Sequence, residues 1–220
     1  GRLHLKLYQQ SGALELSDAV PMLENFGFRV AGEDATLLEH GTLGAIHDFA
    51  LELPAGVAAA DLFARAEQID AAIAAVLNGT AEDDAFNRLI VTTGLAAHEA
   101  NWLRAWYRYL RQATFHYGIA TVVDALQNAP AVTRGVIDLF LARHDPAFSG
   151  NREKAEARAD AAIRDGLAAV GAINDDRLLR QYRALVEAML RTNAFVPQGR
   201  NGHAIALAFK LDSAALPGLP

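Results

Sequence analysis

A change of hydrophobic period between residues 54 and 61 limits this chain more than any other feature. Leu3, Leu5 and Leu7 alternate with His4, Lys6 and Tyr8. Residues 45–53 alternate again, with His47, Phe49, Leu51 and Leu53 on one side and Ile46, Asp48, Ala50 and Glu52 on the other. A period of two belongs to a strand with one buried face. From Asp61 onward the spacing lengthens, and Leu62, Ala66, Ile69, Ile73, Val76 and Leu77 form the single stripe of an amphipathic helix. A chain that pairs strands first and runs in helices afterwards reads as α+β, not as a parallel, doubly wound sheet.

Finer signals set the elements. The first strand spans about residues 2 to 9 and is followed by a polar turn at Ser11 and Gly12. Ser17 or Asp18 is predicted to cap a short helix carrying Val20, Leu23 and Phe26, and Gly27 to end it in the left-handed conformation. Phe28–Ala31 reads as a strand with residues 36–39 as its continuation, residues 40–42 form the turn, and Pro54 closes the last ladder. The helix from Asp61 to Gly79 completes βαββα. Thr80 to Asp83 resembles a capping box with Asp in place of Glu or Gln, opening a helix with Phe86, Leu89 and Ile90. Helices are expected near residues 96–112, 117–128, 132–143, 152–170 and 176–192, and residues 204–211 alternate as a strand once more. The division expected is a small antiparallel sheet module over 1–78, an all-helical bundle over 79–200, and a returning strand with a linker over 201–220.

Composition excludes several function classes. A net charge of −6 supplies no basic field for nucleic acid or anionic lipid. With no cysteine there is no disulfide, thiol nucleophile or thiolate metal site. No stretch approaches the ~18 uninterrupted apolar residues of a membrane helix, and no signal peptide is recognisable, so a cytoplasmic protein without membrane contact is expected. The missing initiator Met and the closing run of prolines and glycine mark the chain as a piece of something longer.

Candidate chemistry is sparse. The pairs Gly41 and Gly44, and Gly199 and Gly202, lack the spacing of a dinucleotide loop, and no phosphate-cradling G-K-[ST] occurs. His98 and Glu99 open like a zinc helix, but Trp102 holds the place of the second histidine, so they read as helix surface. His4, His40, His47, His116, His144 and His203 show no ligand spacing. His47 with Asp48, and His144 with Asp145, are adjacent, and strand neighbours such as the first pair point to opposite faces. Glu82, Asp83 and Asp84 suit a helix start. Trp102, Trp106 and Tyr109 read as a buried stripe, flanked by Arg104, Arg108 and Arg111 as acid-pairing residues or an anion site. Asn78–Thr80 matches a glycosylation sequon but reads as a helix-ending turn. Lys6, Lys154 and Lys210 are the three lysines.

Composition and spacing stop at that fold class, and a resemblance goes further. Residues 16–30 (LSDAVPMLENFGFRV) and 46–49 (IHDF), then 81–90 (AEDDAFNRLI), 103–112 (LRAWYRYLRQ), 139–146 (LFLARHDP), 190–193 (LRTN) and 209–212 (FKLD), are similar in order and spacing to the large bacterial NAD-specific glutamate dehydrogenases. That family carries N-terminal ACT-like modules and helical motifs before a core that oxidises glutamate to 2-oxoglutarate and ammonia with NAD. The resemblance implies that this chain is the last ACT-like module plus the helical region, with the catalytic domain beginning after Pro220. It implies a regulatory and assembly role, with the chain's own catalytic domain as partner, a homo-oligomeric parent and a small amino acid as effector. The strand at residues 2–9 and the helix start near Ser17 are the expected effector location. NAD belongs to the parent, and no catalytic, cofactor-binding or metal-binding residue is assigned here. A stand-alone ACT-type amino-acid sensor is the competing reading. Residues 204–211 are either the final strand of βαββαβ, the favoured outcome, or the first strand of the catalytic domain.

Overall fold

The computed structural model describes residues 3–10, 14–113, 116–196 and 206–216. The expected turn at Ser11 and Gly12, the pair Gly199 and Gly202, His203, Ala204, Ile205 and the closing prolines lie outside the described residues. The chain divides into two compact units, Gly1–Ala97 and His98–Pro220.

The first unit is a three-stranded antiparallel sheet with helices. Its elements are β1 (Leu3–Gln9), α1 (Leu16–Asn25), β2 (Arg29–Leu38), β3 (Gly44–Glu52), α2 (Ala59–Phe63), α3 (Ala66–Leu77) and α4 (Arg88–Thr92). Strand order is β1-β3-β2. Leu5 faces Phe49 and Leu7 faces His47 across the β1–β3 pair, and Val30 faces Leu51 across β2–β3. The period of two therefore does what it predicts: His47, Phe49 and Leu51 are buried on one face, while Asp48 and Glu52 stay half-exposed on the other. Gly27 ends α1 at φ +90. Its N–H donates to Glu24 O at 2.8 Å and that of Phe28 to Leu23 O at 3.2 Å, the paired reverse bonds that satisfy a helix's last carbonyls.

Three local expectations are corrected. Glu15, not Ser17 or Asp18, precedes α1, because the Asp18 and Ala19 N–H groups both donate to Glu15 O. Asp18 then serves the first turn through its charge. The helix from Asp61 is broken into α2 and α3 at Arg65. The Arg65 guanidinium donates to the carbonyls of Ile90 and Val91 at 2.7 and 3.1 Å, tying the break to α4. Thr80 opens nothing: its hydroxyl donates back to Ala75 O at 2.9 Å and closes α3. Asp84 makes the cap instead, accepting from the Phe86 N–H at 3.0 Å at a short 3₁₀ turn over Ala85–Asn87.

The second unit is helical. It contains α5 (Ala97–Ala113), α6 (Ile119–Asn128), α7 (Pro130–His144), α8 (Arg152–Ala168) and α9 (Ile173–Ala188), then β4 (Met189–Thr192) and β5 (Phe209–Leu211). Helix α7 is the centre, with Val132, Val136, Ile137 and Phe140 fully buried against α6, α8 and α9. Two glycines permit the closest approach. A Cβ on Gly135 would lie 2.8 Å from Ile163 Cγ1, and one on Gly166 would lie 2.6 Å from Val132 Cγ2. α7 and α8 thus pack at a separation that side chains at these positions would forbid.

The end of this unit differs from the expected pattern. The last helix stops at Ala188 rather than continuing to Thr192, and residues 189–192 form a strand. Residues 209–211 do not return to the N-terminal sheet; β5 pairs antiparallel with β4 in a separate two-stranded sheet. The reason is local. Asn193 accepts from Ala208 N–H at 2.7 Å and donates to Ala206 O at 2.8 Å, and Asp212 N–H donates to Ala188 O at 2.9 Å. Phe209 stacks edge-on to Tyr109 of α5, ring centres 5.6 Å apart. Closing a hairpin of this length also costs less chain entropy than a return across the whole helical region.

Candidate functional site

A concavity of the first unit runs along β1 and α3. This cleft of about 980 Å³ is walled by Leu3, Leu5 and Leu7 of β1 and by Ile69 and Ile73 of α3, with Asp70 and Asn78 as polar points. It follows directly from the sequence alternation, since the apolar side of β1 lies towards the helices and only β3 bonds to β1 among the described residues. Of the two elements named for an effector, β1 lines the cleft, whereas α1 contributes no lining residue.

Charge sits on the other face of the sheet. His4 Nδ1 lies 2.8 Å and Lys6 Nζ 3.4 Å from the Asp48 carboxylate. The His4 hydrogen bond holds the Asp48 carboxyl below its ordinary value against the opposing effect of burial, with Lys6 adding to the lowering. His47 points the opposite way, into the core, where its Nδ1 meets Glu33 Oε1 at 2.7 Å and its ring stacks near Phe49. Residues 47 and 48 are therefore not an acid–base pair. Each takes its partner from a neighbouring strand.

In the second unit Trp102 and Trp106 of the expected stripe are core, whereas Tyr109 is only half-buried and Tyr107 is buried in its stead. Trp102 and Trp106 both meet the Phe140 ring edge-on, at 4.8 and 4.9 Å, and Phe195 stacks on Phe140 at 5.4 Å while meeting Trp102 edge-on at 5.5 Å. Trp106 Nε1 and His144 Nε2 are buried beside Phe140 without a hydrogen-bond partner among the described residues. Burial lowers the His144 pKa below its ordinary value, and the cations Arg143 and Arg152 lower it further. Burial pushes the Tyr182 hydroxyl well up, with Tyr107 adding to it, and that hydroxyl donates to Leu103 O at 3.2 Å.

Glu99 departs from its reading as helix surface. It is 7% exposed and accepts both ends of the Arg134 guanidinium, at 3.0 and 2.6 Å, so that α5 is clamped to α7. Burial disfavours the Arg134 cation, and the hydrogen bond and charge of Glu99 outweigh it, with Asp138 helping. Arg104 is buried and donates to Asn101, while Arg111 donates to the Tyr107 hydroxyl at 2.9 Å and Arg108 is exposed, so the three arginines form no common anion site. His40 and His116 are exposed. The acidic cluster serves caps and contacts: Asp84 caps, and Asp83 accepts from Asn25 at 2.9 Å. No group of three or more metal-ligating side chains stands together among the described residues. Arg134 and Glu33 escaped the sequence reading because their partners lie 35 and 14 residues away, beyond any local spacing.

A pyrophosphate needs glycines at the turn from a parallel strand into a helix N-terminus. Both described sheets are antiparallel, so neither supplies such a parallel strand.

Three family models match successive stretches of the chain. Residues 1–65 match the glutamate dehydrogenase ACT3 domain, 81–146 the glutamate dehydrogenase helical motif 3, and 162–220 the catalytic domain of bacterial NAD-glutamate dehydrogenase. NAD-specific glutamate dehydrogenases from Pseudomonas aeruginosa and Halomonas elongata are 36% and 37% identical over 100% and 99% of this chain. The chain belongs to the bacterial NAD-specific glutamate dehydrogenase family. The Mycobacterium tuberculosis member is 34% identical over 93% of the chain. The chain spans 14% of the length of the first two relatives and 13% of the third. The catalytic-domain match of this glutamate dehydrogenase segment begins inside α8, upstream of the place after Pro220 that the resemblance implied. No described helix is long and apolar enough to cross a membrane.

Proposed function

We propose that this chain is a non-catalytic regulatory and assembly segment of an NAD-dependent glutamate dehydrogenase that oxidises L-glutamate to 2-oxoglutarate and ammonia. One observation carries this reading. The stretch similar to the helical motif and the stretch similar to part of the catalytic domain share one core, α7 against α8 and α9, within a single compact unit. The helical region is then the support on which the enzyme core begins, and the sheet module precedes it. NAD and all catalytic residues belong to the rest of the longer enzyme, which is a cytoplasmic homo-oligomer. The division into a sheet module over 1–78, a bundle over 79–200 and a connecting stretch over 201–220 is part of this reading, with the bundle's last helices shared with the catalytic domain.

The test uses the longer enzyme. Gly166→Ala drives a methyl into Val132 and should speed thermal loss of glutamate-dependent NAD reduction, and adding Val132→Ala should restore most of the lost half-life. Equal inactivation rates for wild type and Gly166→Ala would contradict the supporting role. A small amino acid acting at the sheet module is the regulatory ligand of this reading. A thermal-shift screen in which no amino acid stabilises the chain would leave it purely architectural.

A further inference from the structure

We infer that the cleft along β1 is a docking site for an extended peptide strand that alternates apolar and acidic residues. The inference concerns the first unit alone and stands whether or not the enzyme assignment does.

The shape argues for a strand. The cleft borders every residue of β1 and continues to Gln10, so it extends roughly 23 Å at the rise of a β-strand, far longer than an amino acid needs. Its long side is an open sheet edge, because β1 bonds only to β3 among the described residues. Such an edge presents a row of backbone donors and acceptors ready for one more strand. A strand laid there would send every second side chain onto Leu3, Leu5, Leu7, Ile69 and Ile73.

The other side chains of that strand would stand beside His4, Lys6 and Tyr8, which are exposed on the opposite face. His4 and Lys6 share the single carboxylate of Asp48. Acidic residues on the incoming strand complete this row, since opposite charges across a strand pair stabilise it and like charges do not. The same row argues against a second copy. Two β1 strands pairing about a twofold axis would set Lys6 against Lys6 or, shifted one way, against His4, and only the opposite shift, with Leu7 on the axis and Lys6 against Tyr8, avoids this.

The test follows amide hydrogen exchange of residues 3–9 in the 220-residue chain by NMR. Two capped seven-residue peptides are added in turn, one alternating valine with glutamate and one alternating valine with lysine. The glutamate peptide should slow the outward-facing β1 amides by about tenfold or more relative to the lysine peptide. Lys6→Gln, an exposed position that leaves the fold intact, should shrink that preference. Failure of either peptide to protect β1, or equal protection by both, would overturn the inference. So would protection of β1 in the peptide-free chain that grows with protein concentration, which would make a second copy the occupant.

Discussion

Glu99 and Arg134 carry opposite charges into a helix interface where neither is fully hydrated. Removing the cation takes the bidentate partner from a buried carboxylate, whereas removing both leaves an apolar contact. Arg134→Leu should therefore cost about 1–2 kcal/mol in urea unfolding, a figure reduced because the guanidinium is partly exposed, and adding Glu99→Leu should recover most of it. A double variant no more stable than the single one would mean the pair is no clamp. His144 makes a pH prediction. Its folded pKa lies below the ordinary value, so its contribution is full above the unfolded pKa and is lost as pH falls through the folded one. Stability should drop between about pH 7 and pH 5 more steeply in wild type than in His144→Gln, while His144 itself titrates below the usual imidazole range by NMR. Equal slopes would assign the acid sensitivity elsewhere.

At the scale of elements, what was legible followed the range of the physics. Periodicity depends on neighbours a few residues apart, so the alternation at Leu3–Leu7 marks the half-buried side of β1, and the alternation around Phe49 and the stripe at Trp102 and Trp106 mark buried faces. The breaks were hidden because distant groups decide them. Arg65 interrupts a helix by bonding carbonyls 25 and 26 residues away. The strand at residues 189–192 exists because Asn193 and β5 hold it, although its own sequence continues a helical spacing. Asn193→Ala removes both side-chain bonds to the Ala206–Ala208 backbone and should raise amide exchange at Phe209–Leu211 by about fivefold to thirtyfold, equivalent to ~1–2 kcal/mol. Unchanged exchange would show that the backbone pairing and the Tyr109–Phe209 packing fix the hairpin without the Asn193 side chain.

For the whole molecule, the fold class was readable because strands and helices occupy different parts of the chain. The candidate site was only partly readable: β1 was singled out, but its cleft requires α3 to lie beside it, which no spacing states. On the proposed reading this chain supports an NAD-dependent enzyme without containing its chemistry. The decisive measurement is calorimetric titration of NAD into the purified chain, with glutamate-dependent NAD reduction followed on the same sample. No heat of binding at micromolar NAD and no turnover are expected. A micromolar dissociation constant or measurable NADH formation would contradict that reading.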